Sequence, residues 1–127
     1  MMSRRNFMLA MACFHMLFGA FFLFFNGYAS HLILSDPDPT SALLVMGISG
    51  IVFSFGLMNY LARNSADSVA LRAVLIGSAV YMAFTLAFDI HWTLIGMLQP
   101  IAWLSIALRF LLVCGYLYYI LKHRASV

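Results

Sequence analysis

The amino-acid sequence predicts an all-α fold, a four-helix transmembrane bundle with up-down-up-down topology. Four apolar stretches divide the 127 residues, and each is close to the roughly 20 residues that a helix needs to cross a bilayer. The composition agrees, because 65% of the residues are hydrophobic and only 9% are charged, whereas a soluble domain is about 25% charged. We therefore expect a single integral membrane domain over residues 1–127.

The basic residues predict the orientation of this bundle. Six of the seven lie at one end of it: Arg4, Arg5, Arg63, Arg72, Lys122 and Arg124. The loops at the other end contain no Lys or Arg, and the seventh basic residue, Arg109, lies inside the fourth stretch. Because basic residues near span ends are retained in the cytoplasm, we expect both termini there. The net charge of +3 is then a topology signal that also attracts anionic lipid, and nucleic-acid binding is not expected.

The first predicted span covers about 6–29 and is rich in Phe. It follows a basic pair, as a signal peptide does, but its apolar run is too long for an ordinary signal sequence, so we expect a retained helix. Pro37 and Pro39 then end any helical continuation, because a proline inside a helix removes a backbone hydrogen bond.

The second predicted span covers about 41–62, with Thr40 or Ser41 as its expected N-cap. A short polar loop, 63–68, leads to the third span at about 69–90. Such a short connection makes neighbouring helices antiparallel.

The segment 91–100 is partly apolar, and we expect it to lie in the membrane interface. Pro100 suits the first turn of the fourth span, which runs over about 101–121.

Polar residues inside the spans carry most of the functional information, because a polar group in hydrocarbon is costly unless it is paired or faces the bundle interior. Helical spacing places several of them on one stripe of the first, third and fourth spans. These stripes predict an outward-facing polar pocket with six candidate ligand-binding residues: Asn26, Tyr81, Thr85, Asp89, Ser105 and Arg109.

Arg109 is the most informative of the six. It lies about 12 Å below the outer interface at 1.5 Å per residue, where an Arg costs about 2.5 to 3.5 kcal/mol to insert. Asp89 is the only acidic residue in or at the edge of a span. Three interpretations stay open: an ion pair with Asp89, snorkelling to the interface, or a cationic anchor for an anionic or carbonyl-bearing ligand.

His15 lies near the middle of the first span. It is a neutral hydrogen-bonded side chain, a proton relay or a haem ligand, although no second His lies at matching depth for bis-His ligation. His31 and His91 lie near the outer face, but their spacing from the acidic residues forms no metal-binding signature. We predict no metal site and no cofactor.

The second span has two faces of small or polar residues. Gly47, Gly50 and Ser54 form one, and Ser49, Gly56 and Asn59 form the other. Small residues let helices approach closely, either within the bundle or across a homodimer. The face with Gly47, Gly50 and Ser54 is the candidate oligomer seam.

Two stretches, GLMNYLARNS at 56–65 and ALRAVLIG at 70–77, resemble small uncharacterised bacterial four-span proteins that are loosely similar to the DoxX-like group. The resemblance implies a four-helix bundle in the bacterial inner membrane. It implies no catalytic residues.

The leading functional hypothesis is a non-enzymatic inner-membrane protein that binds a lipid-like or small ligand, or supports a membrane complex. The sequence contains no glutamate, unlike four-span multidrug exporters, and no nucleotide-binding or hydrolase motif. The alternatives are an oligomeric transporter or channel subunit and a redox subunit that holds haem or quinone at His15. Expected partners are the lipid bilayer and either a second copy of the chain or another membrane protein.

Overall fold

The computed structural model describes residues 3–122, which form five α-helices: α1 (Arg4–Phe24), α2 (Asn26–Ile33), α3 (Pro39–Ala62), α4 (Val69–Leu94) and α5 (Ala102–Lys122). Within this range α1, α3, α4 and α5 are long and apolar enough to cross a membrane. The predicted all-α four-helix bundle is therefore confirmed. Arg124, which was assigned to the basic end, lies outside the described residues.

The first helix differs from the single span predicted over 6–29. It is interrupted at Phe25, whose backbone (φ −122°, ψ 34°) is not helical, and α2 then continues to Ile33. The Asn26 side chain donates a hydrogen bond to the Leu23 carbonyl in the last turn of α1. Such local side-chain bonds offer the backbone an alternative to regular helix pairing. The chain therefore turns here without a proline or glycine at the break.

The N-caps explain where α3 and α4 begin. Asp38, rather than Thr40 or Ser41, caps α3: its carboxylate accepts from the Ser41 backbone N–H at 2.7 Å, and Ser41 accepts in return from the Asp38 N–H at 3.1 Å. Hydrogen bonds from the Ser41 side chain and backbone hold the pKa of Asp38 below its ordinary value. Ser68 caps α4 by accepting from the Leu71 N–H.

Close packing of α1 against α3 depends on two glycines. A Cβ at Gly19 would lie 2.8 Å from the backbone nitrogen of Phe53, and a Cβ at Gly56 would lie 2.8 Å from that of Met16. Each glycine is buried. The helices approach to this distance only because neither position has a side chain.

Phe7 joins α1 to α5 at the end of the bundle where Arg4 and Lys122 lie, which we call the basic end. Its ring is 5.0 Å from those of Tyr116 and Tyr119. These rings belong to a buried cluster: Phe7, Met8, Met11, Leu71, Leu75, Ala79, Met82, Tyr116 and Tyr119. The apolar core of the described chain therefore lies in the half of the bundle nearer the basic end.

A buried polar network links three of the helices. The Asn59 amide on α3 donates to the Ser78 hydroxyl on α4 at 3.1 Å, and the Tyr116 hydroxyl on α5 donates to the Asn59 carbonyl oxygen at 3.0 Å. Asn59 also donates to the Phe55 carbonyl at 2.8 Å. Because these groups satisfy one another, the network stabilises this arrangement of helices inside a hydrocarbon layer.

At the opposite end, the two loops are held together by backbone hydrogen bonds. Leu34 and Leu98 form an isolated antiparallel β-bridge, and the Gln99 N–H donates to the Ile33 carbonyl at 2.8 Å. Gly96 has φ 78°, a conformation that glycine adopts readily, and it turns the chain back after α4. The loops therefore form a cover over this end of the bundle.

We expect Gly56→Ala to destabilise the protein by about 1–3 kcal/mol, because the new methyl group would overlap the backbone of α1. Gly77→Ala on α4 is the control, since a Cβ there meets nothing within 4 Å. Reversible unfolding in mixed micelles measures both values. Equal free energies of unfolding for the two variants would contradict the packing.

We expect Tyr116→Phe to destabilise the protein by about 1 kcal/mol, because it leaves the buried Asn59 oxygen without its donor. The same unfolding assay applies. Tyr28→Phe removes a hydroxyl from an exposed ring and is expected to change the free energy of unfolding little. A Tyr116→Phe protein as stable as this control would show that the network contributes nothing.

Candidate functional site

An ion pair joins α4 to α5 in the half of the bundle away from the basic end. Arg109 Nε lies 2.9 Å from Asp89 Oδ2, and the two side chains are 24% and 14% exposed. Ser105, one turn before Arg109, donates to Asp89 Oδ2 at 3.1 Å and accepts from Arg109 Nε at 3.1 Å. Of the three interpretations of Arg109, the structure therefore contains the ion pair.

The ion pair uses only one of the nitrogens of Arg109. A guanidinium has five N–H donors, and both contacts with Asp89 and Ser105 are made by Nε. Within residues 3–122 the two terminal amino groups make no hydrogen bond, and neither is buried. Arg109 therefore presents a set of donors whose orientation is held by its neighbours.

Arg109 lines a cavity of about 290 Å³ that lies between α1–α2 on one side and α4–α5 on the other. Five polar residues contribute to its wall: His15, Tyr81, Asp89, Ser105 and Arg109. The remainder is apolar, and α1 contributes four aromatic rings: Phe14, Phe18, Phe21 and Phe22. A concave apolar site with a few converging polar groups is typical of small-molecule binding.

The cavity has apolar residues at the exposed parts of its wall. Ile33 and Leu98, from the two paired loops, line one end of it. Toward the basic end, Phe7 fills the space between α1 and α5. The most exposed residues of the wall are Leu104 (72%), Ile101 (49%) and Phe18 (43%). Leu104 and Phe18 lie on the spanning helices α5 and α1, so part of the wall is exposed on the side of these helices. The outward opening of the pocket stays a prediction.

His15, which the six predicted pocket residues did not include, belongs to the same wall. The residue is only 2% exposed, and its Nδ1 lies 2.7 Å from the Met11 carbonyl of its own helix. Since a carbonyl only accepts, Nδ1 carries the hydrogen, and Nε2 of the neutral ring is an acceptor. That nitrogen is buried and has no hydrogen-bond partner in the described part of the chain. The ring lies 6.4 Å from that of Tyr81.

Two of the six predicted ligand-binding residues do not line the cavity. Thr85 donates its hydroxyl hydrogen to the Tyr81 and Met82 carbonyls of its own helix, and Asn26 bonds the Leu23 carbonyl at the helix break. Tyr81, Asp89, Ser105 and Arg109 are brought together. The sequence analysis did not predict that aromatic rings of α1 line the site, although it identified the first span as rich in Phe.

The two small-residue faces of α3 have different surroundings. Ser49, Gly56 and Asn59 are buried within the bundle. The candidate oligomer seam faces outward: a Cβ at Gly47 or Gly50 would meet nothing within 4 Å, and the exposed Ser54 donates to the Gly50 carbonyl. The seam is thus open in the single chain, and the homodimer stays a prediction.

None of the residues in 3–122 form a group of three or more His, Cys, Asp or Glu side chains that could hold a metal ion. The histidines near the outer face, His31 and His91, lie outside the cavity wall.

Comparison of the chain with protein-family models, with curated proteins and with solved structures found no match. The resemblance to DoxX-like proteins stays a prediction, and the functional argument rests on the cavity. The four apolar helices make the chain a small integral membrane protein.

We expect Asp89 and Arg109 to be coupled by about 1–3 kcal/mol in a double-mutant cycle built from Asp89→Asn and Arg109→Gln. Each single change leaves one charge in a largely apolar setting, whereas the double change removes both. The pair of Arg4 with Asp67, where Asp67 is 50% exposed, is the control and should couple by less than about 1 kcal/mol. Additive effects at Asp89 and Arg109 would contradict the ion pair.

Proposed function

We propose that this protein binds a lipid-like or small ligand in the cavity beside Arg109 and performs no chemistry on it. One observation carries the proposal: Arg109 lines the cavity, and its terminal amino groups have no partner among the described residues. An Arg in a membrane span is costly unless its donors are used. Nε satisfies part of that demand through Asp89, and a ligand oxygen would satisfy more of it.

The surroundings of Arg109 favour binding over a purely structural role. Asp89 and Ser105 hold Nε from two sides, so the planar guanidinium is oriented before a ligand arrives, and little freedom is lost on binding. A structural ion pair alone would be equally served by two terminal nitrogens that face the carboxylate. The apolar wall of α1 would then receive the hydrocarbon or ring of the ligand.

In this proposal the bundle lies in a bacterial inner membrane with both termini in the cytoplasm, so the cavity is in the outer half of the bilayer. The support is the cluster of basic residues at one end, which includes Arg4, Arg63 and Arg72. The likeness to DoxX-like four-span proteins agrees with this location. The bilayer is then the first source of ligand, because Phe18 and Leu104 on the spanning helices line the cavity and are exposed.

We expect Arg109→Leu to lower ligand occupancy at least about tenfold without impairing membrane insertion, because a charge-assisted hydrogen bond contributes roughly 1.5–3 kcal/mol. Native mass spectrometry of protein extracted gently from its own membranes measures occupancy, and the fraction recovered in the membrane measures insertion. The control is Arg63→Leu, since Arg63 interacts with Tyr60 near the basic end and does not line the cavity.

Because Arg109→Leu leaves Asp89 unpaired, the variant Arg109→Leu with Asp89→Leu is measured beside it, and it should also lose the ligand. Retention of the ligand at wild-type occupancy by both variants would contradict the proposal. A Soret band in the absorption spectrum of the wild-type sample would instead support the redox alternative at His15.

A further inference from the structure

Two polar groups of the cavity make opposite demands on a ligand. The terminal nitrogens of Arg109 only donate hydrogen bonds. Nε2 of His15 is an acceptor, because Nδ1 already donates to the Met11 carbonyl, and it is buried without a partner in residues 3–122. A ligand that satisfies both needs an oxygen that accepts and an O–H or N–H that donates.

The charge balance of the wall favours a neutral ligand. Asp89 and Arg109 are the charged residues that line the cavity, and they lie 2.9 Å apart as an ion pair. Their formal charges cancel. An ionised head group would therefore bring an uncompensated charge into a cavity whose wall is mostly aromatic and aliphatic, and such burial is strongly unfavourable. A neutral head with hydroxyl and carbonyl oxygens meets the donors and the acceptor without this cost.

The size and mouth of the cavity restrict the rest of the molecule. Its volume of about 290 Å³ is at the small end of the roughly 300–1,000 Å³ that ligand sites span, which favours one chain over two. Phe18 and Leu104 of the spanning helices α1 and α5 line the cavity and have exposed apolar side chains. A molecule dissolved in the bilayer that enters between these helices does not cross the loops.

We propose that the cavity admits a neutral, single-chain amphiphile from the bilayer through the gap between α1 and α5. Its head carries both a hydroxyl group and a carbonyl oxygen: Arg109 donates to an oxygen, and the hydroxyl donates to His15. The inference rests on the proposed function and names the chemical class of its ligand.

Four probes separate the parts of this inference when they are titrated against the full-length protein in nanodiscs. Monoolein has one chain, hydroxyl groups and an ester carbonyl. Methyl oleate has the same chain and carbonyl but no O–H, oleate has an ionised head, and monobutyrin is a short-chain, water-soluble counterpart of monoolein. Methyl oleate would leave the acceptor of His15 unpaired, oleate would bury a charge, and monobutyrin has only a short chain to bury. We therefore expect monoolein to bind about tenfold more tightly than each of the others.

Variants of His15 test whether this residue causes the preference for monoolein over methyl oleate. His15→Phe should weaken monoolein binding about tenfold and leave methyl oleate binding unchanged, which also shows that the variant is folded. His15→Gln keeps an acceptor and should retain part of the preference. His91→Phe is the control, because His91 is exposed and does not line the cavity.

The outcomes distinguish this inference from the proposed function. Binding of methyl oleate or oleate as tight as that of monoolein would overturn the neutral-donor assignment, and equal binding of monobutyrin would overturn a bilayer source. A retained native ligand that depends on Arg109 but is ionic or has two chains would overturn only this inference. Failure of all four probes, together with an unchanged ligand in the Arg109→Leu protein, would overturn both.

Discussion

Hydrocarbon offers no hydrogen-bond partner, so each polar side chain of the spanning helices has to be satisfied inside the protein. Asn59 meets this constraint by joining α3 to α4 and α5 through Ser78 and Tyr116. Asp89 and Arg109 meet it by joining α4 to α5. Apolar burial alone discriminates poorly between helix arrangements in a membrane, because lipid tails are as apolar as the side chains. These few polar contacts therefore determine which helix faces are turned toward one another.

The cavity is a consequence of how the two helix pairs meet. Within the first pair, Gly19 and Gly56 allow α1 and α3 to approach closely along their length. Between α1 and α5, the ring of Phe7 fills the space near the basic end by packing on Tyr116. Farther from that end α1 and α5 line the cavity together with α2 and α4, and Leu98, which pairs with Leu34, contributes to its wall. The site thus arises where close packing between α1 and α5 ends.

Polar groups that lack a hydrogen-bond partner indicate where in the protein to look for function. Most buried polar atoms in proteins have partners, as Asn59 does here. The buried Nε2 of His15 has none in the described chain, and the terminal nitrogens of Arg109, which are not buried, make no hydrogen bond there either. Both residues line one cavity. A protein that needed only stability would favour apolar side chains at these positions, since an ion pair in a low-dielectric setting adds little net stability. Their joint placement is what supports a binding role.

The sequence by itself determined the number of spanning helices and their approximate bounds, because apolar length is a local property that does not depend on neighbouring helices. It also placed Tyr81, Asp89 and Arg109 on inward-facing stripes. Only the tertiary structure decided that Arg109 pairs through Nε with Asp89, that His15 lies in the same wall, and that Thr85 is satisfied within its own helix. Helical periodicity gives the face on which a residue lies, whereas contacts across the bundle depend on how each helix is rotated, tilted and interrupted. Those quantities are set by packing between helices, so no single segment of the sequence contains them.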